Sequence, residues 1–139
     1  MSSRFIHSGP ARAAGFVAKR LASLGVSRLA VLTTIGRRSG TPREVPVAPI
    51  RHDGLTYLVA PYGEVSWVHN VRAHPEVTLR RGRRVEEVKL HEVDHPEVVK
   101  RYYEREPIAS RFMEVPGDAS VDDFAAVAHR FPVFRVDDG

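Results

Sequence analysis

Cysteine is absent from the 139 residues, tryptophan occurs once and methionine twice. The first absence excludes disulfide scaffolds, thiolate zinc sites, Cys nucleophiles and cysteine-held iron–sulfur clusters together. It fits a reducing compartment, and cytoplasmic residence is the expectation. No stretch approaches the ~18–20 apolar residues of a membrane span, and Met1–Pro10 lacks the charged and apolar regions of a secretory leader. Neither G-x-x-x-x-G-K-[ST] nor G-x-G-x-x-G occurs, which disfavours a P-loop and an NAD-type Rossmann domain. No repeat and no long linker divides the chain, so one domain is expected. What is present is ordinary globular material, 42% hydrophobic and 27% charged. A net charge of +4 favours an anionic partner: nucleic acid, a lipid surface or a phosphorylated small molecule.

Residues 1–27 read as a helical segment ahead of the main domain over 28–139. In Ala11–Leu24, Ala14, Val17, Leu21 and Leu24 share one face, with Arg12, Lys19, Arg20 and Ser23 opposite. Two readings stay open, a helix packed on the core or a basic helix touching anionic lipid, which would make the protein membrane-peripheral. Beyond it the texture is mainly β. Leu29–Thr34, Val45–Arg51, Leu55–Ala60, Val77–Arg80, Val85–Val93 and Phe131–Val136 predict about six short strands. His52-Asp53-Gly54 and Arg81-Gly82-Arg83 are hairpin turns, so the sheet is antiparallel, and so many short strands suggest a barrel. Pro46 and Pro49 place the second segment at an edge, a bulge or a barrel rim. Three flanking helices are expected, at Trp67–Ala73 with Ser66 as cap, at Glu97–Glu104 behind Pro96, and at Val121–His129 behind Ser120. In the last, Val121, Phe124, Ala125 and Ala128 form the expected buried stripe.

The densest signal is Thr33-Thr-Ile-Gly-Arg-Arg-Ser-Gly-Thr-Pro-Arg43, between two strands. Gly36 and Gly40 let consecutive N–H groups converge on one anion, Arg37, Arg38 and Arg43 supply guanidinium forks, and Ser39 and Thr41 add hydroxyls. A solvated basic hairpin is the alternative. A second segment, Val59-Ala-Pro-Tyr-Gly-Glu-Val-Ser-Trp-Val-His-Asn70, runs from a strand end through a turn into a helix. Trp67 and Asn70 share one helical face, able to wall and orient a flat ring or to sit as a core Trp with a bonded amide.

Together these segments, with Val45-Pro-Val47, Tyr57–Gly63, Trp67–Ala73 and a weaker His129–Phe134, resemble the deazaflavin (coenzyme F420)-dependent nitroreductase family, whose fold is the flavin-reductase-like split β-barrel. The resemblance implies an α+β protein binding the 8-hydroxy-5-deazaflavin F420. Arg37, Arg38, Ser39, Gly40, Thr41 and Arg43 would hold its phosphate and acidic tail. Pro46, Val47, Val59, Ala60, Pro61 and Gly63 would line ring and ribityl chain, with Trp67 and Asn70 closing the site. Two departures separate the chain from nitroaromatic-reducing relatives, which often carry a small hydroxyl residue where Pro61 stands. They also have spaced tyrosines before the final strand, whereas Arg111–Ala126 contains none and Tyr102 and Tyr103 come early.

The implied activity is hydride transfer from the reduced cofactor to a small electron-poor acceptor such as a quinone, enone or nitro compound. Tyr62, beside the proposed ring, is the candidate catalytic proton donor. An FMN-binding split-barrel reductase or a non-catalytic cofactor carrier is the nearer alternative. A nucleic-acid-binding domain using Arg80–Arg84 is the distant one, diluted by Glu86, Glu87 and Glu92, so no nucleic-acid partner is expected. The seven histidines show no metal-ligand spacing, and no metal is expected. A homodimer is compatible with the sequence.

Overall fold

A computed structural model describes residues 29–115 and 117–138. The expected helix over 11–24 and its lipid-facing side lie outside the described residues.

Seven strands form one antiparallel sheet: β1 (Ala30–Ile35), β2 (Pro42–Val47), β3 (Ile50–His52), β4 (Leu55–Val59), β5 (Glu76–Arg81), β6 (Arg84–Val93) and β7 (Val133–Asp138). Their order is β2-β1-β5-β6-β7-β4-β3. The expected second strand is two, because Ala48-Pro49 breaks the ladder: Val47 still faces Ala30 on β1, while Ile50 faces Tyr57 on β4. The two outermost strands are therefore joined by two residues. Three Cα steps hold Val47 and Ile50 within about 11 Å, so the sheet must curl until its edges approach. That is a split barrel, and Pro46 sits on its edge strand as expected.

Both two-residue hairpin loops follow from backbone chemistry. Asp53 and Gly54 have φ of 50° and 78°, the paired positive values that match the twist of the flanking strands. Gly82 opens the β5–β6 loop at φ 58°.

The helices are α1 (Ser66–Ala73), α2 (Pro96–Arg105), α3 (Pro107–Ser110) and α4 (Val121–Ala126), with a 3₁₀ turn at Ala128–Arg130. Three expectations need correction. Val65, not Ser66, is the N-cap of α1, and no side chain caps it. Val65 leaves the Gly63 turn extended, and its carbonyl accepts from Val68 and His69, placing Ser66 inside the first turn. The last helix stops at Ala126, where Val127 adopts φ −118° and bonds back to the Phe124 carbonyl. This shift turns Val127 inward, so Phe124 and Val127 are buried while Val121 and Ala125 face out. Finally, Pro107 ends α2 and starts the unanticipated α3, since Glu106 before it takes an extended ψ of 83°.

Alternation along the strands divides the core. Leu32, Leu58, Leu79, Leu90 and Phe134 fill the barrel interior with Trp67, Val68 and Val71 of α1. Tyr57, Val59 and Val133 point the other way, against Val98, Val99 and Tyr102 of α2 and Phe124 of α4. The β4 strand is thus covered on both faces, which fixes the turn that follows it.

Candidate active site

The loop between β1 and β2 is tied to itself before any ligand is considered. The Gly36 N–H donates to the Thr41 carbonyl at 2.8 Å, the Gly40 N–H to the Gly36 carbonyl at 2.8 Å, and the Ser39 and Thr41 hydroxyls bond at 2.7 Å. A Cβ on Gly36 would lie 2.5 Å from Ser39 Oγ and 3.3 Å from the Thr41 carbonyl oxygen, and Gly40 has φ 70°, a conformation that favours glycine. A buried polar chain anchors the loop from beneath. The Arg37 backbone N–H and one guanidinium N–H donate to Asn70 Oδ1 at 3.1 and 3.0 Å. Asn70 Nδ2 donates to the Thr34 hydroxyl at 3.3 Å. Asn70 and Thr34 are buried, and this satisfaction is what permits an amide at that depth.

Arg37 is thereby oriented, whereas the Arg38 and Arg43 side chains make no hydrogen bond or ion pair among the described residues and are exposed. Two uncommitted guanidinium groups thus stand on a rigid loop.

That loop forms one end of a cleft of about 890 Å³. Arg37, Arg38, Ser39 and Arg43 line its cationic end; Pro46, Val47, Val59, Pro61 and Trp67 line its apolar length; Asn70 and Tyr62 border it as well. Four predicted residues do not line it: Gly40 and Thr41 shape the loop, Ala60 is fully buried in the barrel core, and Gly63 makes the turn at φ 87°. Consecutive residues from Arg43 to Ala48 all border the cleft, so β2 presents its edge rather than a face. The strand carries the wall about 13 Å from Arg43 to Val47. Trp67 is buried and tilts against Phe134 at 5.5 Å, leaving part of its indole in the cleft wall.

Sequence reasoning missed the far end. Tyr102, Glu106 and Ala109, from α2, the bend and α3, line the cleft with Ala48 and Leu29. Tyr102 recurs one turn after Val98 and beside Val99 on the buried stripe of α2, a signal present in the sequence, where Tyr102 entered only with Tyr103 as coming early for the tyrosines of the relatives. Burial, then the Glu106 charge and Tyr62, push the Tyr102 phenol well above its ordinary range. Tyr62 itself is 59% exposed at the cleft mouth, its ring edge-on to Phe112 at 5.8 Å. The cleft therefore carries guanidinium groups and the Glu44 carboxylate at its loop end, an apolar slot beyond them, and phenols with Glu106 at the far end.

Comparison with known proteins fits this geometry. A family model described as F420H(2)-dependent quinone reductase matches residues 9–111. A solved structure described as an F420-H2 dependent reductase (FDR-A) is 25% identical, covering 79% of this chain and 94% of its own, with a TM-score of 0.52. A structure described as a domain-swapped dimer is 22% identical, covers 93% and 100%, and has a TM-score of 0.56. A putative pyridoxamine 5′-phosphate oxidase from Listeria innocua, 15% identical over 86% and 91% with a TM-score of 0.50, shares the fold. The chain belongs to the F420H(2)-dependent quinone reductase family, and by that membership it is an F420-dependent oxidoreductase.

Proposed function

We propose that the cleft binds the reduced deazaflavin with its phosphate and acidic tail at the β1–β2 loop and its ring in the apolar slot. The observation that carries this reading is the pair of uncommitted cations, Arg38 and Arg43, on a loop already pinned through Arg37 and Asn70. The donor set fits the group: guanidinium forks and glycine-shaped backbone suit phosphate oxygens, and Pro46, Val47, Val59, Pro61 and Trp67 suit a flat ring. Ser39 and Thr41 support the loop through their mutual bond, while Gly40, Ala60 and Gly63 act by shaping backbone around the site.

When bound, the reduced coenzyme supplies a hydride, and the acceptor is a small electron-poor molecule of the quinone, enone or nitro class. The protein's own part is to hold ring and acceptor face to face and to keep water from the slot. Tyr62, exposed at the mouth, can exchange with solvent and deliver the proton that follows the hydride. The neighbour described as a domain-swapped dimer supports a homodimer, which light scattering would test.

Titrating the protein with F420, then following oxidation of the reduced form by a panel of quinones, enones and nitroaromatics, tests the reading. Saturable binding and turnover are expected. Arg38→Ala with Arg43→Ala is expected to weaken coenzyme binding about tenfold or more, as two charge-assisted contacts are lost. Preference for FMN would favour the flavin alternative, and binding without turnover a carrier.

A further inference from the structure

Outside the cleft, one guanidinium group ties three elements together. Arg72 lies in the last turn of α1, on the exposed side of that helix. Its Nε and Nη2 groups donate to the two carboxylate oxygens of Glu92 on β6 at 2.9 and 2.8 Å. Nη2 also donates to one oxygen of Glu64 at 3.2 Å, and Nη1 lies 3.2 Å from the other. His69 comes no nearer to that carboxylate than 3.9 Å, so Arg72 is its hydrogen-bond partner. Glu92 is the fixed end of the arrangement: it stands opposite Phe134 of β7, whose ring packs against Trp67. Glu64 is the end that needs holding. It belongs to turn 61–65, closed by two short backbone bonds, Gly63 N–H to the Ala60 carbonyl and Val65 N–H to the Gly63 carbonyl. The same turn presents Pro61, Tyr62 and Val65 to the cleft.

We infer that Arg72 is a positioning residue for the reaction, fixing turn 61–65 through Glu64 from an anchor at Glu92 and so setting where Pro61 and Tyr62 stand over the cleft. The inference rests on the proposed reductase reading and adds the device that holds one wall of that site. An isolated exposed ion pair does little for stability, because side-chain entropy offsets most of its attraction. Geometry matters more here. The bidentate pair with Glu92 fixes the plane of the guanidinium, which leaves its remaining edge aimed at Glu64. A lysine would offer one compact charge and could not serve both carboxylates in fixed directions. The hydrogen bond from Arg72, then its charge, also holds the Glu64 carboxyl below its usual range, so the tie is charged at neutral pH. Arg72, Glu64 and Glu92 are not among the residues lining the cleft, so breaking the tie acts through the placement of the turn.

Glu64→Ala removes the tie and leaves the Arg72–Glu92 pair, whereas Arg72→Met removes both. Amide hydrogen exchange on the protein alone reports the turn directly, with melting curves confirming folded variants. The amides of turn 61–65 are expected to exchange about fivefold or more faster in each variant, with loop 36–41 unchanged. The double variant should exchange no faster than Arg72→Met, because both changes cut the same tie. Glu64→Gln keeps an oxygen acceptor and should recover part of the protection; Arg72→Lys should recover little. In turnover of menadione with reduced F420, kcat should fall about three- to tenfold in Glu64→Ala and Arg72→Met, with KM for F420 held within about twofold. Partial recovery of kcat in Glu64→Gln should accompany its recovered protection. A turn that loosens as expected in a protein that binds no F420 would sink the reductase reading and leave the tie standing. Unchanged exchange of the turn in both variants, equal acceleration in loop 36–41, or an undiminished kcat with a loosened turn would overturn the inference.

Discussion

Asn70 shows how a side chain's work depends on what lies behind it. The Asn70 amide is turned inward, its oxygen taking two N–H groups of Arg37 and its nitrogen reaching Thr34. Asn70→Ala would remove the acceptor of the Arg37 N–H groups and the donor to the buried Thr34 hydroxyl, and we expect a loss of about 1–3 kcal/mol in chemical denaturation. F420 affinity should fall with it, because Arg37 loses its tether; an unchanged affinity would show that the loop holds its shape alone. The sequence put the arginines on one glycine-bent loop, with a solvated hairpin as the alternative; that Arg37, Arg38 and Arg43 border a cleft is seen only in the fold. The Asn70 tether was not legible: it spans 33 residues, and no local spacing reports such a contact. Tyr102 was hidden differently, since a phenol on the apolar stripe of a helix reads as packing until the cleft beside it is seen.

Among the elements, α4 has the clearest sequence signature. Ser120 accepts from the Asp123 N–H at 3.2 Å, while the Asp123 carboxylate accepts from the Ser120 N–H and from Asp118, each at 3.1 Å. These bonds, the Ser120 N–H foremost, hold the Asp123 carboxyl below its usual range. A depressed folded value means that the charge stabilises the protein above the unfolded pKa of about 4 and is lost as pH falls through the folded value. The melting temperature of Asp123→Asn should therefore lie below wild type at pH 7, with the gap closing on acidification toward pH ~3. A gap independent of pH would deny the carboxylate this role. The cap was visible in Ser120-Val-Asp-Asp123, but the helix end was not, because no glycine or proline marks Val127 as the residue where it stops. The split of the second strand was likewise obscured. Val45–Arg51 has continuous strand texture, and Pro49 alone does not say whether it bends a strand or separates two.

Over the whole molecule, the strand order explains why a local reading reached the fold class but not the depth of the site. Turns, edge prolines and short strands were enough for an antiparallel barrel, whereas the cleft needs α2 and α3 laid against the outer face of β4, a long-range arrangement. The basic tip at Arg80–Arg84 takes no part in the cleft; Arg81 and Arg84 approach Glu86 at 3.9 and 3.5 Å. Among the described residues no helix is long and apolar enough to cross a membrane. The same strand order has a kinetic consequence. β4 joins the body of the sheet only through β7, with Thr56 opposite Val136 across 80 residues (136 − 56). Closing so long a loop is entropically costly, whereas the β5–β6 hairpin closes at once. The turn bearing Tyr62 and the cleft wall at Val59 hang from β4, so we expect the pocket to be assembled late in refolding. Stopped-flow refolding should recover far-ultraviolet sheet signal before it recovers coenzyme binding, and simultaneous recovery would contradict this order. On this order the cleft is completed as the closing act of folding, and damage to β7 should disturb it from afar.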